Sequence, residues 1–301
     1  MAQSFENVRL VIADPNPVVR TGLRGALFSI GFRTISDTAS FIKLHDLIEQ
    51  DAIDLLVTSS ELENNDVGFL ISEMRSQRLG PNPFLVVITL LTSADPDYVK
   101  RVIDSGSDDL LLTPVQPDQL ILRIEKLART RKPFVVTHDY TGPDRRTKAR
   151  AFETHSAPML EVPNPLKVRA DSGMDGTRLS RMVAETSITL NRMKIERHAV
   201  QIDWLVNHIH ASIRDGISAD PMVLLPYISK LPLAAEDMIR RMTGHPSEIY
   251  IPPVTELLEL SKKLEADPAN MPFTALERLA ALSKLISKSL GTPPAPCAPA
   301  P

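Results

Sequence analysis

Two short apolar runs constrain the fold of this chain more than any other feature: Val8-Arg9-Leu10-Val11-Ile12-Ala13 and Phe84-Leu85-Val86-Val87-Ile88-Thr89. Both have strand length and are too continuous for a half-exposed strand, so they fit a parallel sheet covered on both faces. Shorter strand candidates are Thr34-Ile35-Ser36, Ala52 to Thr58 and Asp109 to Leu112. Helical stretches lie between and after them. Val18 to Ile30 puts Val19, Leu23 and Leu27 on one stripe, and Gln119 to Leu127 does the same with Leu120, Ile124 and Leu127. Strands alternating with helices predict a doubly wound, five-stranded parallel α/β domain over residues 1–132. In such a fold the working site lies beyond the carboxyl ends of the strands.

The residues at those strand ends carry a resemblance. Ala13-Asp14-Pro15-Asn16-Pro17-Val18-Val19-Arg20 resembles the acidic first-strand signature of bacterial response-regulator receiver domains. Asp54-Leu55-Leu56-Val57-Thr58-Ser59 resembles the strand that ends in their phosphorylated aspartate, and Gly106 to Pro114 the segment that ends in their Lys-Pro pair. The likeness runs from about residue 6 to 130, in order, and implies a flavodoxin-like receiver fold in a two-component phosphorelay. Residue by residue, it puts the family's acid pair on Asp14 and Pro15, its acceptor on Ser59 and its switch hydroxyl on Thr89. The lysine falls on Thr113, the following proline on Pro114, and the aromatic that reports the switch on Leu110.

Departures at Pro15, Ser59, Leu110 and Thr113 imply a pocket that has lost its chemistry. Mg²⁺ takes several hard oxygen ligands, and Asp14 alone supplies a carboxylate. A serine hydroxyl must lose a proton before it attacks phosphorus, and no histidine or lysine maps beside Ser59. Loss of the lysine together with the acids leaves a nearly neutral pocket, whereas loss of one sign alone would leave charges uncompensated. No metal, cofactor or catalytic residue is therefore expected. A different register would make Asp54 or Asp66 the acceptor, although Asp54 precedes the apolar run and Asp66 follows it in a loop. Phosphorylation of Ser59 by a separate kinase also stays open.

At 301 residues the chain has room for a second domain. A formal charge of −3 argues against general nucleic-acid affinity. A lone cysteine, Cys297, excludes a disulfide framework and fits a reducing cytoplasm. The start of the chain lacks a basic segment followed by an apolar one, and no apolar stretch approaches membrane-spanning length, so neither export nor a membrane partner is expected. From Arg123 to Arg150, nine Lys/Arg face the three acids Glu125, Asp139 and Asp144. Residues 133–175 contain Pro158, Pro163, Pro165 and Gly173 without a sustained period, and read as a linker. Within it, Tyr140-Thr141-Gly142-Pro143-Asp144-Arg145-Arg146 is similar to a short motif of several bacterial signalling proteins. It reads either as an anchor for an acidic surface on a partner or as a solvated tether.

Residues 176–291 read as an all-α bundle. From about Thr177 to Arg214 no Pro or Gly interrupts a helix closed by Gly216, and further pieces span about Pro221 to Met242, Pro253 to Glu265 and Pro272 to Leu290. At 1.5 Å per residue the first helix is roughly 55 Å long, so its apolar seam predicts a homodimer. Residues 292–301 alternate Pro and Ala and read as a disordered tail.

The function expected is phosphorylation-independent binding to a signalling partner or a second copy. By the resemblance, the interaction face comprises Lys100 and Arg101 on the fourth helix, Asp108 and Asp109 at the fifth strand, and Arg123 on the fifth helix. Two other readings stay open. One is a phosphorelay member with a phosphotransfer histidine among His198, His208 and His210, and the other is a DNA-binding regulator. No glycine-rich phosphate loop, nucleophile elbow or zinc motif points to an enzyme.

Overall fold

A computed structural model describes residues 4–145, 158–170, 176–214, 221–268 and 270–291. Described residues up to 188 form one compact unit, and those from 189 onward form a second.

In the first unit the order is β1 (Arg9–Ala13), α1 (Pro17–Ser29), β2 (Thr34–Thr38), α2 (Phe41–Glu49) and β3 (Leu55–Ser59). A small hairpin of β4 (Glu61–Leu62) and β5 (Asn65–Asp66) leads into α3 (Val67–Arg75). Then come β6 (Val86–Leu91), α4 (Pro96–Asp104), β7 (Asp109–Leu112) and α5 (Pro117–Arg129). The main sheet is parallel, ordered β2-β1-β3-β6-β7. That is the flavodoxin-like doubly wound order, with the chain reversing direction at β1 and β3.

Successive residues of each central strand serve opposite faces, which is why the runs are apolar throughout. Leu10 and Ile12 of β1 join Leu55, Val57, Ile88, Leu23, Leu27, Leu120 and Ile124 in one core, beneath α1 and α5. Val11 and Ala13 join Leu56, Val87, Leu44, Ile48, Leu70 and Met74 in the other, beneath α2 and α3. Helix starts are set locally. Asn16 accepts from the Val18 N–H ahead of α1, Asp66 from Gly68 ahead of α3, and Asp95 from Tyr98 ahead of α4.

The stretch expected to be a linker is folded where it is described. β8 (Phe134–Val136), β9 (Thr141–Pro143) and β10 (Met159–Leu160) make an antiparallel sheet ordered β10-β8-β9. A short α6 (Pro165–Ala170) follows, and its Leu166 and Ala170 join the α1/α5 core. Three-residue strands are too short to show a period, so the prolines dominated the sequence reading. Arg146, Lys148, Arg150 and Gly173 of that stretch lie outside the described residues, as do Gly216, Cys297 and the 292–301 tail.

A buried ionic cluster joins this addition to the sheet. The Asp108 carboxylate accepts from Arg75 Nη2 at 2.9 Å, Arg131 Nε at 2.8 Å, Arg131 Nη2 at 3.0 Å and the Val87 N–H at 2.9 Å. The three side chains are 1%, 1% and 3% exposed for Asp108, Arg75 and Arg131. One carboxylate thus faces two guanidiniums, and carbonyls take up further donors. Arg75 donates to Gly106, Pro83 and Leu85, and Arg131 to Phe84, Pro163 and Leu85. The Phe134 ring lies 5.0 Å from one guanidinium carbon and 4.9 Å from the other. Burial pulls Arg75 down to about 10, still a cation at neutral pH. Asp108 is therefore a structural residue, buried in this cluster, and does not belong to an exposed interaction face as expected.

The second unit contains the described remainder of α7 (Gly176–Arg214) together with α8 (Pro221–Ile228), α9 (Lys230–Met242), α10 (Ile251–Ala266) and α11 (Phe273–Leu290). Pro226 sits inside α8 and Pro232 in the first turn of α9, so the helices change at Ser229 rather than at either proline. Ile195, Ile202, Leu205, Val206 and Ile209 of α7 share one buried cluster with Met238, Leu257, Leu264, Leu279 and Ile286. The seam that pointed to a second copy is thus covered largely by this chain's own helices. Asp237 forms the polar centre. It accepts from His198 Nε2 at 2.8 Å, Arg241 Nε at 2.7 Å and Arg240 Nη2 at 2.7 Å, while Asn191 donates to the Arg241 carbonyl at 2.8 Å. Burial opposes ionisation of Asp237, but these donors outweigh it and hold the carboxyl well below the usual carboxylate range.

Two stability predictions follow from these clusters. Arg75→Leu leaves Asp108 and Arg131 buried with a broken network and should cost about 3–5 kcal/mol. Guanidinium unfolding followed by far-UV circular dichroism measures it, while the chain's one tryptophan, Trp204, reports the helical unit separately. Asp237 has a depressed folded pKa, so its contribution is complete above the unfolded value of about 4 and drains away as the pH falls below it. Asp237→Asn should remove that acid dependence from the Trp204-monitored transition and lower its midpoint at pH 7.

Candidate functional site

The carboxyl edge of the main sheet gathers Asp14, Ser59, Ser60, Thr92 and Thr113. Asp14 is one step past β1. Ala13 pairs with Thr58, so Asp14 stands level with Ser59, the last residue of β3. Both are buried. Asp14 Oδ1 accepts the Asn16 N–H at 2.8 Å. Burial pushes the Asp14 carboxyl up, against smaller opposing effects of that hydrogen bond and of Arg20. Arg20 does not pair with this carboxylate. It donates to the Asp14 backbone carbonyl at 2.6 Å and forms an ion pair with Asp37 at 3.0 Å. Pro15 is exposed and brings no ligand atom from its side chain.

Thr113 sits just after β7, and its hydroxyl donates to the Leu91 carbonyl at 2.9 Å. The Thr113-Pro114 peptide is cis, and Pro114 is exposed. Asp54, one of the alternative acceptors, is at the opposite end of β3. Its carboxylate is fully buried and accepts from Arg9 Nε at 2.9 Å and Nη2 at 2.7 Å. Asp66 caps α3 through the Gly68 N–H at 2.7 Å. Ser59 is therefore the residue at the tip of the central strand.

Thr89 is not part of this edge. It pairs with Thr58, one position back from the Ser59–Leu90 pair, and alternation turns its side chain to the other face. There the buried Thr89 hydroxyl meets Ser107 Oγ at 2.8 Å. The hydroxyl that does follow β6 at the edge belongs to Thr92, two residues beyond Leu90. It lies 3.3 Å from the Tyr98 phenol, which also bonds Ser60 Oγ. Sequence reasoning missed Ser60, Thr92 and Tyr98. Counting to the end of the strand instead of to the end of the apolar run would have found Thr92. Leu110 is half-buried on β7, paired with Thr89.

What this edge can do chemically is limited. It offers one carboxylate whose ionisation burial already disfavours, and several neutral hydroxyls. Mg²⁺ takes near-octahedral oxygen ligation, commonly through one or two carboxylates plus phosphate and water, and this donor set does not suit it. Among the described residues, no three His, Cys, Asp or Glu side chains gather as a metal site.

Of the expected interaction face, Lys100, Arg101 and Arg123 are exposed, and Arg123 pairs within the chain with Asp109 at 3.3 Å. Leu112 and Leu122 add exposed apolar surface on β7 and α5. The three histidines are placed differently from one another. His198 is buried, with Nε2 on Asp237 and Nδ1 3.2 Å from Gln201 Oε1. His208 stacks on Trp204, ring centroids 5.3 Å apart, and packs on Tyr227 at 4.5 Å. His210 lies 6.1 Å from Phe273. Among the described residues, no helix is long and apolar enough to cross a membrane.

No family model matches the chain, and no curated protein matches it either. Solved structures do. A CheY-like response regulator receiver domain protein from Methanospirillum hungatei JF-1 is 18% identical with a TM-score of 0.36, covering 40% of this chain and 91% of its own. The signal receiver domain of the putative response regulator NarL from Mycobacterium tuberculosis is 20% identical with a TM-score of 0.36, covering 42% of this chain and 99% of its own. The receiver domain of the sensor histidine kinase PA1611 from Pseudomonas aeruginosa PAO1, solved with magnesium in its active-site cleft, is 23% identical with a TM-score of 0.35. It covers 42% of this chain and 96% of its own.

Proposed function

We propose that this chain is a cytoplasmic protein of the response-regulator type whose N-terminal unit keeps the receiver architecture without the phosphoryl chemistry, and that it works through protein contacts. The observation that carries the reading is Ser59 at the tip of the central strand, beside a single buried carboxylate, Asp14. The resemblance maps no histidine or lysine beside that hydroxyl, and phosphoryl charge developing there would meet the Asp14 carboxylate instead of an ammonium. Contacts would use the face formed by α4, β7 and α5, with Lys100, Arg101, Asp109 and Arg123 setting orientation and Leu112 and Leu122 supplying apolar area. A homodimer through this face is part of the proposal.

Acetyl phosphate with Mg²⁺ should leave both the intact mass and the sedimentation behaviour of the full chain unchanged. A phosphoryl adduct stable in acid, located on Ser59, or one labile in acid, located on His208 or His210, would replace this reading with a working phosphorelay. Leu122→Glu should shift the wild-type dimer to monomer in sedimentation velocity. A monomeric wild type at tens of micromolar or so would rule out the homodimer as a stable species, since a specific interface of standard size holds well below that concentration.

A further inference from the structure

Among the described residues, the basic surplus between Arg123 and Arg150 is not one patch in space. Arg131 is taken up by Asp108, and Arg145 donates to the Ser107 carbonyl. Arg129 lines a cleft of about 360 Å³ with Lys167 of α6 and Arg178 of α7, two residues from elsewhere in the chain, and the Asp108-bound Arg131 forms part of its wall. Arg129, Lys167 and Arg178 are exposed. Val162, Val168 and Met182 give the cleft an apolar part, and Thr130 adds a hydroxyl. Among the described residues no carboxylate lines it. Arg129 has an exposed partner in Glu125 at 3.6 Å, while Lys167 and Arg178 have no ion pair among the described residues. In a chain of formal charge −3, this concentration of one sign in a concavity is a local feature and does not follow from composition.

We propose that this cleft docks a short acidic segment of a partner protein, one in which carboxylates flank an apolar side chain. The inference rests on the protein-contact reading above and gives the partner a chemistry. Three cations around an apolar floor complement such a segment, which buries one side chain on Val162, Val168 and Met182 while its carboxylates meet Arg129, Lys167 and Arg178. A small phosphate would sit among exposed, solvated side chains and leave the apolar floor uncovered. A nucleic-acid duplex needs a basic stripe that follows its backbone, whereas these three cations surround one concavity with an apolar floor.

Fluorescence anisotropy on the full chain tests this, with a labelled peptide of sequence Asp-Glu-Leu-Glu-Asp-Leu-Glu-Asp and its Asn/Gln counterpart as probes. The acidic peptide should bind in low salt and weaken as salt rises. Binding should fall by about tenfold or more in Lys167→Glu/Arg178→Glu, and less in Lys167→Gln/Arg178→Gln, with circular dichroism unchanged for both. Lys284→Glu/Lys288→Glu, at two exposed positions of α11, should bind as the wild type does. The proposal is overturned if the amide peptide binds equally, if charge reversal in the cleft has no effect, or if ATP or inorganic phosphate binds through Lys167 and Arg178 while the peptide does not. Repeating the titration after acetyl phosphate treatment separates the two readings. Peptide binding by a chain that has acquired a phosphoryl group defeats only the phosphorylation-independent function, and an inert chain that ignores the peptide defeats only the docking cleft.

Discussion

Asp108 is the point on which the N-terminal unit depends. A single carboxylate between two buried guanidiniums would be a poor arrangement if the ions were its only members, because taking charges out of water costs several kcal/mol each. Five backbone carbonyls and the Phe134 ring complete the solvation that water no longer supplies. The consequence is geometric as well as energetic. Arg75 comes from the end of α3, Arg131 from just past α5, Val87 from β6, and Phe134 and Pro163 from the small sheet and its neighbour. Each partner must be in place for the others to be satisfied, so the described part of the segment after α5 is tied to the sheet.

Much of this fold was legible in the sequence because the sheet is buried on both sides. Strands of that kind must be apolar throughout, and β1 and β6 stand out for that reason, as do the stripes of α1 and α5. What could not be read was anything depending on a partner distant in sequence. Asp108 looks like any acid in a polar turn until Arg75 and Arg131 are brought to it. Phe134-Val135-Val136 looks like a fragment between prolines until β9 and β10 flank it.

The candidate site divides along the same line. Ser59, Asp14 and Thr113 could be placed by counting along strands, since a strand end is a local property. Thr89 was not an end residue, because β6 runs on to Leu91, and its side chain takes the face opposite to that of Leu90. The pairing Thr58–Thr89 beside Ser59–Leu90 decides the matter, and it moves the hydroxyl of interest to Thr92. In the helical unit His198 suffered the reverse error. A histidine on a helix invited a functional reading, yet it serves as a donor to Asp237 in the interior.

Close backbone approach at Gly106 and Gly142 has a further implication for where this domain ends. Gly106 adopts φ +96°, and a Cβ there would come within 2.8 Å of the Thr141 carbonyl oxygen, while a Cβ on Gly142 would meet the Tyr140 phenol oxygen at 2.5 Å and Gly106 Cα at 2.9 Å. Main chain lies directly on main chain, with no room for a side chain or a water layer between. A boundary drawn at the end of α5 would therefore separate these surfaces, and a version of this unit that keeps them together extends past Pro143.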